Sequence, residues 1–283
     1  MAVIGQLSPG LVPGLYIVAT PIGNLGDLTA RAADVLSRAD LILAEDTRVT
    51  GKLLAHIGSK VPARRHDDHS SDDERVRVVA MLGDKAVALV SDAGTPLISD
   101  PGYRLVRDAR AAGHTVHALP GPCAGIAALT LAGLPTDRFL FMGFLPAKAK
   151  ARADAIAEVA NLRATLLLYE SGPRLGATLD ALTHGLGKRE AAVAREITKL
   201  HEDCVTGTLS ELAALYSEQP PKGEIVIVVG PPGETAEASD DELDSALDAA
   251  LKTLSPSRAA AEVAKRLSVP RKRAYARALE RLK

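Results

Sequence analysis

The chain has 283 residues, 47% hydrophobic and 24% charged, with a formal net charge of −1. That is the makeup of a globular protein long enough for two ordinary domains, and near-neutrality alone says nothing about nucleic acid. Cys123 and Cys204 are too few and too far apart for a metal knuckle or disulfide framework, and no apolar run approaches bilayer-spanning length. Aromatics make up only 3% with no Trp, so an aliphatic core is expected. "MAVIGQLSPG" has no basic segment followed by an apolar stretch and cleavage site, so a cytoplasmic location without membrane contact is expected.

Short β-branched or aliphatic runs alternate with alanine-rich segments of helical period, the pattern of an α/β fold with a largely parallel sheet. Strands are predicted at "LYIVAT" (15–20), "LILA" (41–44), "AVALVS" (86–91) and "TVHAL" (115–119). Helices are predicted to start near Asp27, Thr47, Asp73 and Pro101; Asp27 and Thr47 read as N-caps, and Pro101 suits a first helical turn. A second set follows "PGPCAG": "FLFMGF" (139–144), "ATLLLY" (164–169), "AAVAREI" (191–197) and "EIVIVV" (224–229). Apolar runs without alternation fit strands covered on both faces. The reading is two tandem α/β domains, 1–120 and 121–232. A linker, "GPPGETAEAS" (230–239), leads into a helical module within 233–283.

Charge is segregated in that module. Seven acidic residues and no Lys or Arg lie from Glu234 to Asp248, and the sign reverses after Ser255. "SPSRAAAEVAKRL", "SVP" and "RKRAYARALERL" read as helix, tight turn, helix, with Pro270 where the second begins. Two readings stay open: a solvated hairpin packed on its own domain, or a helix-turn-helix-like surface whose Arg271, Lys272, Arg273 and Arg277 meet nucleic-acid phosphates. "HDDHSSDDE" (66–74) contains metal-ligand residue types. Consecutive His66, Asp67, Asp68 and His69 cannot all converge from one regular element, so a solvated, mobile loop is expected there and no metal.

Between the predicted elements lie four glycine- and proline-rich breaks. "SDAGTPLISDPG" leaves its strand at the sheet edge where open α/β proteins bind ligands. Gly94 and Gly102 permit close backbone approach, and Pro96 and Pro101 fix the loop's shape. "VATPIGNLGDLT" breaks through Pro21, Gly23 and Gly26. "LPGPCAGIAAL" opens a helix of small residues whose N-terminus can face an anion, and "LYESGPR" ends a strand in the second half. One such break reads as a connecting turn; four in one chain read as ligand loops. G-x-G-x-x-G, G-x-x-x-x-G-K-[ST] and G-x-S-x-G are all absent, which argues against dinucleotide, Walker-type nucleotide and nucleophile-elbow sites.

At these stretches the sequence resembles a known family. "VATPIGNLGDLTARA", "AEDTR", "SDAGTPLISDPG", "PGPCAGIAAL", "GFLP", "YESGPR", "AREITKLHE" and "KGEIVIVVG" are similar, over nearly the whole chain, to the bacterial ribosomal RNA small-subunit methyltransferases I. These form part of the tetrapyrrole (corrin/porphyrin) methylase superfamily. The resemblance implies two α/β domains with a donor cleft between them, a homodimer, and S-adenosyl-L-methionine as donor, leaving S-adenosyl-L-homocysteine. It also implies 2′-O-methylation of a cytidine in the decoding centre of 16S ribosomal RNA, presented as RNA or as the small subunit. By the same resemblance the donor contacts are Pro21 and Ile22, then Asp92, Gly94, Thr95, Pro96 and Ile98, then Cys123 and Ala124. Tyr169, Glu170, Lys199 and Glu224 complete the set. Tetrapyrrole-modifying relatives carry "GGDP" where this chain has "DAGTP", which favours the RNA branch.

A ribose hydroxyl needs its proton removed as it attacks, so a positioned carboxylate is the group to seek. Glu45 and Asp46 of "AEDTR", with Arg48 as a phosphate clamp, are candidates, and so is Asp100. The alternative for "AEDTR" is that Asp46 or Thr47 caps the following helix and Arg48 pairs with it. Two rival functions remain at this point. A tetrapyrrole or small-molecule methyltransferase would not need the basic C-terminal helices, and a non-enzymatic nucleic-acid-binding regulator would leave the four loops unexplained.

Overall fold

The structure, a computed structural model, describes residues 10–67, 71–233, 240–267 and 269–281. Five parallel strands, β1 (Gly14–Val18), β2 (Leu41–Ala44), β3 (Ala63–Arg65), β4 (Ala86–Val90) and β5 (Val116–Leu119), form a sheet ordered β3-β2-β4-β1-β5. Helices α1 (Ala30–Arg38), α2 (Thr47–His56), α3 (Asp72–Met81) and α4 (Tyr103–Ala111) alternate with them. Strand alternation sends Tyr16, Val18, Ile42, Ala88 and Val90 into one core with α1 and α2. Leu15, Leu43, Val87 and Leu89 enter another with α3 and α4. Right-handed crossovers dictate this division, because connections through α1 and α2 move one way along the sheet and those through α3 and α4 the other. Neighbouring β1 and β4 therefore send the chain in opposite directions, which opens a crevice beyond their C-terminal ends.

The second sheet, ordered β6-β7-β10-β8-β9, comprises β6 (Phe139–Phe144), β7 (Thr165–Ser171), β8 (Glu190–Arg195), β9 (Asp203–Thr208) and β10 (Glu224–Val229). Only β6 and β7 pair in parallel. Helix α5 (Ala124–Leu131) lays Ala128 and Leu129 onto Leu167, Ala192 and Val226, and Ile22 from the loop after β1 joins the same cluster. The α-helices of this half are completed by α6 (Ala149–Glu158), α7 (Gly172–Leu186) and α8 (Leu209–Glu218), which contribute buried Ile156, Leu175, Leu179 and Leu212. A β-carbon on Gly172 would lie 1.8 Å from the Pro221 carbonyl oxygen, so only glycine fits where β7 turns into α7. The two sheets and α1–α8 form one compact unit.

A second unit consists of Val159–Arg163 with the C-terminal helices α9 (Asp240–Leu251), α10 (Pro256–Leu267) and α11 (Arg271–Glu280). Leu243, Leu247, Val263, Ala274 and Ala278 make its core. Its charge segregation has a structural cause: Asp240 pairs with Arg273 at 2.9 Å, Asp244 accepts from Arg277 at 2.7 and 2.9 Å, and Asp248 pairs with Arg281. Each pair is 33 residues apart, so α9 and α11 run side by side in the same direction and their opposite charges line one interface.

Several expectations change. The segment at Asp27 is a 3-10 turn, Leu25–Asp27, and α1 begins later, capped by Thr29. Asp46 rather than Thr47 caps α2, and Gly102 rather than Pro101 opens α4. "HDDHSSDDE" is not a loop throughout. His66 is buried, and its N–H donates to the Ala44 carbonyl. Asp67 pairs with Arg65, and Ser71 caps α3, whose first turn holds Asp72, Asp73 and Glu74. Asp68, His69 and Ser70 lie outside the described residues. Among the described residues no three His, Cys, Asp or Glu side chains are grouped as metal ligands, and no helix is long and apolar enough to cross a membrane.

Candidate functional site

The loops after β1, β4 and β5 are tied together by main-chain geometry. Thr20 and Gly94 exchange two backbone hydrogen bonds of 2.8 and 3.0 Å, possible because Gly94 takes a left-handed φ of 81°. The Thr95 hydroxyl donates to the Pro122 carbonyl at 2.9 Å, joining the second loop to the third. A cavity of about 380 Å³ opens beside this junction. Ile22, Ile98, Phe144, Ile197 and Val226 supply apolar lining, and Ser99, Asp100, Tyr169, Ser171 and Glu224 are also on its wall.

Tyr169 sits at the end of β7 with Phe141 and Phe144 edge-on to its ring at 4.9 and 5.7 Å. Its oxygen accepts from the Gly125 N–H in the first turn of α5 at 3.2 Å. Burial, reinforced by Cys123, pushes its pKa up to about 12, so the hydroxyl keeps its proton at neutral pH. Asp100 is shifted upward chiefly by burial and also by nearby Asp92, against a hydrogen bond from Ser91 that favours the anion.

Ten of the residues singled out from the sequence line this one cavity. They are Ile22, Gly94, Thr95, Ile98 and Asp100 from the first half, and Cys123, Ala124, Tyr169, Glu170 and Glu224 from the remainder. The Glu170 carboxylate is engaged within the wall, accepting from Ser171 N–H at 2.8 Å and the Thr178 hydroxyl at 2.7 Å, with Arg174 at 3.4 Å. Pro21, Asp92, Pro96 and Lys199 are not in the lining. Lys199 works through its neighbours: its ammonium donates to Glu196 at 3.0 Å and Glu224 at 3.1 Å. Its stem lies so close to Gly23 that a β-carbon there would be 2.5 Å from Lys199 Cγ.

Glu45, Asp46 and Arg48 also stand outside the lining. Asp46 caps α2 and grips Arg48 at 2.5 Å, and the Arg48 guanidinium holds its carboxyl well below the usual carboxylate range. The cap and the paired arginine that form one reading of "AEDTR" are both present. The Asp46 N–H donates to Asp92 Oδ1 at 3.0 Å, which couples this turn to the loop carrying Asp100.

Ser99, Phe144, Ile197, Gly223 and Val226 are lining residues that sequence reasoning did not single out. Phe144 and Ile197 fall inside "GFLP" and "AREITKLHE", while Val226 reads as ordinary core strand. Backbone strain marks the same region. Among the described residues the non-glycine residues with left-handed φ are Leu97 (75°), Ser99 (65°), Glu196 (50°) and Thr198 (68°). Each such residue costs about 1–3 kcal/mol and persists only where its surroundings impose it. On α11, Arg273 and Arg277 belong to the α9 interface, whereas Arg271 and Lys272 border a shallow hollow with Ser257 and Tyr275.

Comparison with known proteins gives concordant matches. Residues 14–213 match the Tetrapyrrole (Corrin/Porphyrin) Methylases, and residues 237–282 match the RsmI C-terminal HTH domain. Ribosomal RNA small subunit methyltransferase I of Erythrobacter litoralis is 57% identical over 270 residues, covering 95% of this chain and 96% of that protein. The protein of the same name from Mesorhizobium japonicum is 45% identical over 276 residues, covering 95% and 92%. Among solved structures, uroporphyrin-III-C-methyltransferase from Thermus thermophilus matches with a TM-score of 0.55 at 21% identity, covering 77% of this chain and 94% of that one, a likeness of fold.

Proposed function

The chain belongs to the tetrapyrrole (corrin/porphyrin) methylases, in their ribosomal RNA small subunit methyltransferase I branch, and from that premise we propose that it methylates a cytidine ribose 2′-oxygen in 16S ribosomal RNA. The observation that carries this reading is the single cavity walled by loops of both sheets, within the usual ~300–1,000 Å³ of small-molecule sites. Its lining fits S-adenosyl-L-methionine. Apolar Ile22, Ile197 and Val226 suit a purine, the Glu224 carboxylate suits a cationic group, and the Gly94 turn presents main chain where a β-carbon would crowd Ile22 at 3.2 Å. The loops holding Pro21, Asp92, Thr95, Pro96, Ile98, Cys123, Ala124, Tyr169 and Glu170 would hold it, with Lys199 steadying Glu224. When bound, the donor supplies an electrophilic methyl group and leaves as S-adenosyl-L-homocysteine.

The chain's own task is then to align the acceptor hydroxyl, exclude water and accept a proton. The apolar lining keeps water from competing, and alignment lowers the barrier by several kcal/mol. Asp100 is the base: it is on the cavity wall, and burial raises its proton affinity above that of a free carboxylate, which makes it the better proton acceptor, a contribution of about 10²–10⁴-fold. Asp46 is the weaker choice, since Arg48 stabilises its anion. Arg48, 88% exposed, is free to approach a phosphate while remaining paired.

The rest of the reading is a cytoplasmic homodimer of α/β domains 1–120 and 121–232 with the module 233–283. Edge strand β6 exposes Phe139, Leu140 and Phe144, apolar surface suited to a second copy. Mapping ribose methylation on 16S ribosomal RNA from cells with and without the protein is the test. Loss of a 2′-O-methyl cytidine in the decoding centre is expected; an unchanged ribose-methylation map would overturn the assignment.

A further inference from the structure

The α9–α11 interface divides the basic residues of α11 into two groups. Arg273, Arg277 and Arg281 face Asp240, Asp244 and Asp248, and the Arg277 fork meets both oxygens of Asp244. A phosphate drawn to those guanidiniums would have to displace their carboxylates and would be repelled by them. Arg271 and Lys272 stand outside this ladder. With Ser257 from the first turn of α10 and Tyr275 one turn further along α11, they line a hollow of about 330 Å³.

We propose that Arg271, Lys272, Ser257 and Tyr275 form a clamp for the RNA backbone on the C-terminal module, whereas Arg273, Arg277 and Arg281 hold that module's fold. The inference rests on RNA being the substrate, and it narrows the basic helix to a defined contact. The guanidinium of Arg271 offers a planar fork for phosphate oxygens, and Lys272 adds a point charge. Ser257 supplies a hydroxyl; its 3.4 Å contact with Arg271 Nη2 is long enough to be exchanged for a phosphate oxygen. Tyr275, 42% exposed, presents an aromatic face beside the two charges. Cation pair plus exposed ring is the combination that grips single-stranded RNA, with phosphate held by charge and an unstacked base held by the ring.

The test measures binding of a short fluorescein-labelled single-stranded RNA to the full chain by anisotropy across a salt series. Removing two phosphate contacts in Arg271→Ala/Lys272→Ala should make the log–log salt slope shallower by about 1.4, since each contact on single strands contributes ~0.7. Lys272→Glu should weaken binding further at low salt. Tyr275→Leu should weaken binding about tenfold with the slope unchanged, as expected for lost stacking. Arg277→Gln should lower the module's melting temperature and leave the slope alone. A wild-type slope in the double variant would overturn the clamp, as would a slope reduced by Arg277→Gln in protein that circular dichroism shows to be folded. Methyl transfer by the same protein variants to small ribosomal subunits, and to 16S ribosomal RNA, from cells lacking the protein separates the two readings. RNA binding with the expected slopes but no transfer would refute the proposed function alone, and transfer without those slopes would refute the clamp alone.

Discussion

Replacing Gly94 with Ala perturbs the junction of the site without deleting a functional group. Gly94 has a φ of 81° and exchanges two backbone hydrogen bonds with Thr20. Holding alanine in that conformation costs about 1–2 kcal/mol. Its β-carbon would lie 3.2 Å from Ile22 Cγ2, so besides the backbone strain Ile22 must give way by a few tenths of an ångström in the cavity wall. Gly58 provides the control, with a φ of 68°, open space where an added methyl group would point and no place in the lining. Both Gly94→Ala and Gly58→Ala should lower Tm, by about 2–4 °C per kcal/mol for a chain of this size. Only Gly94→Ala should also weaken binding of S-adenosyl-L-homocysteine, about tenfold if ~1.4 kcal/mol of the strain falls on the bound loop. Calorimetric titration beside thermal melting reads both quantities. Unchanged donor affinity in Gly94→Ala, with melting like that of Gly58→Ala, would refute the placement of the donor.

Asp100→Asn should lower kcat by about 10²–10⁴-fold with donor affinity retained, and should abolish an acidic limb lying above the ordinary carboxylate value of ~4. Because burial raises the Asp100 pKa in the folded state, its ionisation costs stability as pH rises through that value, so the Asn variant should melt no lower than wild type at neutral pH. Asp244 and Asp248 are shifted downward by hydrogen bonds from Arg277 and Arg281, so their stabilisation is full above the unfolded value and is lost as pH falls through the folded one. Circular dichroism should show loss of C-terminal helix below about pH 4, with Asp244→Asn destabilised at neutral pH and less sensitive to acid. Gly172→Ala, which puts a β-carbon 1.8 Å from the Pro221 oxygen, should prevent recovery of stably folded protein, measured by soluble yield and melting.

Apolar runs were legible as strands: the bounds of "FLFMGF" and "EIVIVV" coincide with β6 and β10, but only β10 is covered on both faces as expected; β6 is an edge strand that leaves Phe139, Leu140 and Phe144 exposed. Strand β3, three exposed residues, and β9, with Asp203, Thr206 and Gly207 in its run, were not, because edge strands need little apolar surface and so leave little pattern. The acidic block was legible only as a run of charge, since its partner stands 33 residues away and only the fold reveals the common interface. The site was legible where glycine and proline interrupt strands, as at Gly94 and Pro122. It was hidden where an apolar residue serves both core and cavity, as Ile197 and Val226 do.

A crystal structure of the protein with S-adenosyl-L-homocysteine tests the central claim most directly. The account predicts the ligand in the cavity bounded by Gly94, Cys123, Tyr169 and Glu224, with its sulfur on the side open to Asp100. Ligand bound elsewhere, or in contact with residues of only one of the two sheets and their loops, would contradict it.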